Sequence, residues 1–253
     1  MSGVEESDVR LAERLATEAG EILLGLRSSG LTGKELGKAG DEGANGYLMR
    51  ALRAARPDDG LLSEETECDG ARLAKSRVWI IDPLDGTREY GEARSDWAVH
   101  VALAINGVAT VGAVALPALG TTLTSGAPKP LAPANSPLRM LVSRTRPAAE
   151  AVAVAEGLGA ELLPMGSAGA KAMAVVRGEA DIYLHTGGQY EWDNCAPVAV
   201  AQAAGLHVSR ADGSPLVYNQ ENTYLPDLLI CRPELAEQVL SLYRALPVAA
   251  ARR

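Results

Sequence analysis

The chain has 253 residues, enough for one large compact domain or two closely packed halves with a substantial core. Its 24 basic and 32 acidic residues leave a formal charge of −8, which argues against a nucleic-acid backbone as partner. No apolar run is long enough to span a membrane, residues 1–10 are too acidic and polar for a signal peptide, and Cys68, Cys195 and Cys231 lack metal spacing, so a soluble cytoplasmic protein with free thiols is expected.

Residues 8–26 carry apolar side chains at helical spacing, with Ser7 as N-cap. Residues 28–40, rich in Gly and Lys, read as a loop. Asp41 then heads a second helical pattern (Ala44, Leu48, Ala51, Leu52), where it serves either as a cap or in catalysis. After the turn Pro57-Asp58-Asp59-Gly60, a short strand at Leu61-Leu62 runs into Ser63-Glu64-Glu65. Val78-Trp79-Ile80-Ile81 is a buried strand expected to stop just after Asp82. The chemistry begins there: Pro83 fixes the turn, Asp85 comes three residues after Asp82, Gly86 lets the backbone approach a ligand, and Thr87 can cap the next element. Two carboxylates so close do not cheaply both stay ionised without a cation, and a divalent metal supplies one, although a plain turn uses the same residue types. Groups at the carboxyl ends of neighbouring strands in an open α/β sheet converge on one crevice, so Glu64, Asp82 and Asp85 can share it. Residues 96–116 form a hairpin about Asn106-Gly107, and His100 within it reads as a packed histidine rather than a catalyst.

Residues 126–137 hold four prolines and mark the boundary between an N-terminal half, 1–127, and a C-terminal half, 138–253. The second half alternates strands (140–142, 160–165, 180–184, 228–231) with helices (147–158, 168–177, 193–204, 233–246), which implies α/β layering. Ser143-Arg144 comes after its first strand. Gly166-Ser167-Ala168-Gly169-Ala170-Lys171 puts a small-residue turn before a helix, with Lys171 one turn beyond Ser167, either solvated or functional. In Tyr190-Glu191-Trp192-Asp193, Asp193 heads an Ala-rich helix as a plain N-cap or as a further carboxylate aimed into the crevice.

The run from Trp79 to Thr87, the Glu64-Glu65 pair, Gly166-Ser167, and Trp192-Asp193 before its Ala-rich helix together resemble the inositol monophosphatase superfamily of magnesium-dependent, lithium-sensitive phosphatases. Asp-Pro-Leu-Asp-Gly-Thr-Arg-Glu-Tyr, Ser143-Arg144 and Lys171 are similar to its branch acting on 3'-phosphoadenosine 5'-phosphate in sulfate assimilation. The chain departs from that branch at Thr145-Arg146-Pro147, where histidine is common, and in a shortened segment before Asp41. The resemblance implies an α-β-α-β-α sandwich of the inositol monophosphatase and fructose-1,6-bisphosphatase type. It further implies that Glu64, Asp82 and the Leu84 carbonyl hold one Mg2+, that Asp82, Asp85 and Asp193 hold a second with Asp82 bridging, and that a third, weaker ion joins near Glu64. By the same resemblance, Thr87 oriented by Asp41 activates water, the amides of Gly86 and Thr87 cradle the phosphate, and Ser143, Arg144, Ser167, Lys171 and Glu191 contact the nucleotide. A homodimer is implied as well. The substrate expected is adenosine 3',5'-bisphosphate, with its sulfated parent a further candidate; an inositol-1-phosphate or fructose-1,6-bisphosphate phosphatase is the alternative.

Overall fold

A computed structural model describes residues 6–67 and 70–247. Cys68 lies outside the described residues; Cys195 and Cys231 are buried free thiols. The chain runs α1 (Asp8–Arg27), α2 (Gly33–Ala55), β1 (Gly60–Ser63), β2 (Arg77–Asp85), α3 (Thr87–Gly91), β3 (Ala98–Ile105), β4 (Val108–Leu116) and β5 (Thr121–Thr124). It continues through β6 (Arg139–Ser143), α4 (Ala149–Leu158), β7 (Glu161–Met165), α5 (Ala168–Val176), β8 (Ile182–His185), β9 (Gln189–Tyr190), α6 (Glu191–Ala203), β10 (His207–Ser209), β11 (Tyr224–Leu225), β12 (Leu228–Cys231) and α7 (Ala236–Arg244).

Two five-stranded sheets, ordered β1-β2-β3-β4-β5 and β10-β12-β8-β6-β7, lie in an α-β-α-β-α sandwich. The period-two alternation of the strands builds these layers. In β2, Trp79 and Ile81 face α1 and α2, while Val78 and Ile80 face a central cluster shared with α5 and α6. In the second sheet Leu141, Tyr183 and Ile230 point into that same central cluster, and Met140, Leu184 and Leu229 point outward to α4 and α7. The central layer therefore draws on both sides of the proline-rich connector, which brings Asp193 and Ser167 against the end of β2.

Several boundaries differ from the sequence reading. Residues 33–40 are helical, so Asp41 lies inside α2 and not at its head. The glycines that suggested a loop serve close packing: a Cβ on Gly37 would stand 2.7 Å from Thr87 Cγ2, and one on Gly40 2.9 Å from Leu84 Cδ2. β2 runs on through Asp85, with its pairing to β3 shifting between Asp82 and Asp85, where Pro83 has no amide to give. β5, β10 and the β9–β11 pair were not expected; each is short and carries little periodic signal.

Candidate active site

Two strands and one helix bring their acids together at the site. β1 pairs in parallel with β2, Ser63 beside Ile81, and the Glu64 amide donates to the Ile81 carbonyl (3.4 Å), which sets Glu64 next to Asp82. Asp82 and Asp85 are both buried. Asp193 enters from α6, where it is the third residue of the helix and not its cap; its Oδ2 accepts from the Tyr190 amide at 2.6 Å. Carboxylate oxygens of Asp82, Asp85 and Asp193 lie within 4.8 Å of one another.

Such crowding shows in the protonation equilibria. Loss of hydration, then repulsion from Glu64, Asp85 and Asp193, lifts Asp82 well above an ordinary carboxyl. Asp193 is pushed up to about 6, first by burial and then by Asp85. Glu64 is raised to about 7, again by lost hydration first and then by Asp193, Glu65 and Asp85. As a residue Glu64 is exposed, with the charges of Asp193, Glu65 and Asp85 close by. Asp85 goes the other way: burial opposes its charge, but His100, the Ser167 hydroxyl and the Gly169 amide outweigh that and hold it at about 2. Three hard oxygen donors in mutual repulsion, one of them kept ionised, are a donor set that fits a divalent cation such as Mg2+.

Around the cluster stand Thr87, Asp41 and Gly86. The Thr87 hydroxyl lies 3.1 Å from the Leu84 carbonyl and 3.4 Å from Asp41 Oδ1. Asp41 is raised to about 7 by burial, helped by Glu65. Gly86 takes a left-handed conformation (φ 89°) directly before Thr87. Beside Asp41 and Thr87 opens a cavity of about 570 Å³ whose wall includes Lys34, Lys38 and Arg88. The same wall carries Glu42, Glu65 and Glu92, and Lys38 and Arg88 stand 3.7 Å from Glu42 and Glu92.

The proposed nucleotide contacts divide. Ser167 reaches the site, with its hydroxyl on Asp85 Oδ2, and the amides of Ala168 (3.1 Å) and Gly169 (2.6 Å) also donate to Asp85. Ser143 accepts from the Arg146 amide at 3.3 Å. Arg144 is committed elsewhere: its Nε donates to Glu89 at 2.7 Å and its Nη2 to Glu92 at 2.6 Å. Lys171 is neither solvated nor set against a ligand, being 5% exposed with Nζ donating to the carbonyls of Ser167 (2.5 Å) and Gly166 (3.2 Å). Both oxygens of buried Glu191 accept backbone amides, from Asn219 and Gln220 at 2.7 Å each, so Glu191 anchors that loop in place of a nucleotide. Sequence reasoning missed Asp96, whose Oδ2 accepts from the Gly166 amide at 2.6 Å and so ties the turn to the first half. It also passed over the position of His100, opposite Asp82 in the β2–β3 ladder, for which only the strand register gives a signal.

The family model described as the inositol monophosphatase family matches residues 5–246. Two curated relatives named 3'-phosphoadenosine 5'-phosphate phosphatase are similar over most of their length. The one from Mycobacterium leprae is 50% identical over 95% of this chain and 94% of its own, and the one from Mycobacterium bovis is 52% identical over 88% of each. Among solved structures, CysQ from Bacteroides thetaiotaomicron, a bacterial member of the same family, superposes with a TM-score of 0.77 at 26% identity, covering 89% of this chain and 97% of that one.

Proposed function

The chain belongs to the inositol monophosphatase family, and on that footing we propose that it is a phosphatase that removes the 3'-phosphate of adenosine 3',5'-bisphosphate, yielding AMP and phosphate. The observation that carries this reading is the sustained likeness to the two mycobacterial phosphatases, joined to a cluster of acids whose spacing suits metal-dependent hydrolysis.

Glu64, Asp82, Asp85, Asp193 and the Leu84 carbonyl would hold the metal, two Mg2+ ions and a third, weaker one during turnover. When bound, the ions stabilise the attacking and leaving oxygens of an in-line displacement. The remaining work falls to the chain itself. Thr87 orients the attacking water, and Asp41, whose raised pKa suits a base near neutrality, takes its proton through Thr87. The amides of Gly86 and Thr87 receive the phosphate. Ser167 fixes Asp85, and Lys171 fixes the turn that carries Ser167. For the nucleoside, exposed Tyr190, stacked on Trp192 (4.9 Å, 10°) and tied through its amide to Asp193, offers a flat aromatic face beside the metal ligands. The same reading carries activity on the sulfated parent nucleotide, inhibition by Li+, a cytoplasmic location and a homodimer. No helix among the described residues is long and apolar enough to cross a membrane.

A side-by-side kinetic comparison at fixed Mg2+ tests the proposal. Adenosine 3',5'-bisphosphate should give the higher kcat/KM by more than about tenfold, the scale on which one well-made contact group discriminates. Equal or higher kcat/KM for inositol 1-phosphate or fructose 1,6-bisphosphate would overturn it.

A further inference from the structure

We propose that His100 is a positioning residue for the metal centre, a single imidazole that sets the spacing between Asp85 and Asp193. This rests on the metal-dependent reading of the site given above.

His100 is fully buried in β3, opposite Asp82 in the strand ladder. Its Nδ1 lies 3.0 Å from the carbonyl of Trp192, the residue before Asp193; a carbonyl only accepts, so Nδ1 carries a proton. Its Nε2 stands 3.3 Å from Asp85 Oδ2 and, among the described residues, completes no well-formed hydrogen bond. A buried ring nitrogen without a full partner, aimed at a carboxylate of the acidic cluster, calls for a reason in a native fold. The ring spans the gap between the end of β2 and the first turn of α6, two elements from opposite halves of the chain, with one nitrogen on the Trp192 carbonyl and the other facing Asp85.

Gly169 gives independent support. A Cβ there would fall 2.0 Å from His100 Nε2, so no other residue fits without displacing the imidazole. The Gly169 amide meanwhile donates to the same Asp85 Oδ2 that faces Nε2. Three groups thus converge on one carboxylate oxygen, the Ser167 hydroxyl, the Gly169 amide and Nε2, and the space for the ring exists only because Gly169 has no side chain. Groups that orient metal-binding carboxylates in this way commonly govern metal affinity by about 10- to 100-fold.

The test is binding of Mn2+ alone, read from the loss of its free electron-paramagnetic-resonance signal in titrations of the full chain, with wild type and three variants. His100→Leu removes both polar ends at similar volume. His100→Asn keeps a donor where Nδ1 sits, and His100→Gln puts one where Nε2 sits. We expect His100→Leu to bind Mn2+ about 10- to 100-fold more weakly, with part of the loss recovered in His100→Gln and in His100→Asn. At saturating metal KM for substrate should stay near that of wild type. Wild-type Mn2+ affinity in folded His100→Leu would overturn the proposal; should that variant not fold, wild-type affinity in both His100→Asn and His100→Gln would do so. Failure of the wild type itself to bind Mn2+ would instead overturn the metal-site reading and this inference with it.

Discussion

Replacing Asp193 by Asn should stabilise the metal-free protein while weakening the metal position that it shares with Asp82 and Asp85. In the fold the Asp193 carboxyl titrates at about 6, against 3.8 for an ordinary aspartate. As pH rises above 3.8 the unfolded chain releases this proton before the folded one does, so stability falls until pH 6 and the full loss persists above it. The interval corresponds to roughly 2–3 kcal/mol once the partial exposure of the residue is allowed for. Asn cannot ionise, keeps a carbonyl oxygen for the Tyr190 amide, and so escapes this cost. For a chain of this size that is roughly 4–12 °C in melting temperature. Thermal melts in excess chelator at about pH 7.5 should therefore place Asp193→Asn above wild type, with the gap shrinking to about half near pH 5. Added Mg2+ should raise wild type by more than it raises the variant, which keeps only the position at Glu64, Asp82 and the Leu84 carbonyl. A variant that melts at or below wild type in chelator at that higher pH would refute the argument that the acids are held together against their own repulsion.

Thr87→Ala and Asp41→Asn should each lower kcat by about 10²- to 10⁴-fold with Mn2+ binding intact, and Thr87→Ser should recover much of the loss; steady-state kinetics beside a metal titration decides. Lys171→Met should depress kcat/KM for adenosine 3',5'-bisphosphate and inositol 1-phosphate alike, because Nζ holds the Gly166-Ser167 turn. A rise in KM confined to the bisphosphate would restore Lys171 as a nucleotide contact. Glu191→Ala leaves two part-buried amides without their acceptor and should cost about 1–3 kcal/mol in chemical denaturation while leaving KM unchanged; a KM effect without loss of stability would count against its anchoring role.

Much of this architecture was legible before any coordinates. The alternating strands β6, β8 and β12 and the hairpin about Asn106-Gly107 stand where periodicity and turn chemistry put them. The acidic run Asp82 to Asp85 declares itself because carboxylates, Pro and Gly gather at the end of an apolar strand. Asp193 could not be told from a cap by local sequence, since a capping carboxylate and a metal ligand occupy the same first turn; here it bonds the Tyr190 amide from the third helical position while its carboxylate meets Asp82 and Asp85. The start of α2 was misread because Gly37 and Gly40 look like breakers when their use is contact with Thr87 and Leu84, a tertiary fact. Arg144 and Lys171 illustrate the same limit: a cation in a promising place is read as a phosphate ligand until the structure shows Glu89 and Glu92 on one and two backbone carbonyls on the other.

The central claim is that Asp82 joins Asp85 and Asp193 around divalent ions. Anomalous scattering from crystals grown with Mn2+ addresses it directly. Two peaks are predicted with the Asp82 carboxylate between them, one also bound by Asp85 and Asp193 and the other by Glu64 and the Leu84 carbonyl. Peaks elsewhere, with none at these acids, would contradict the account.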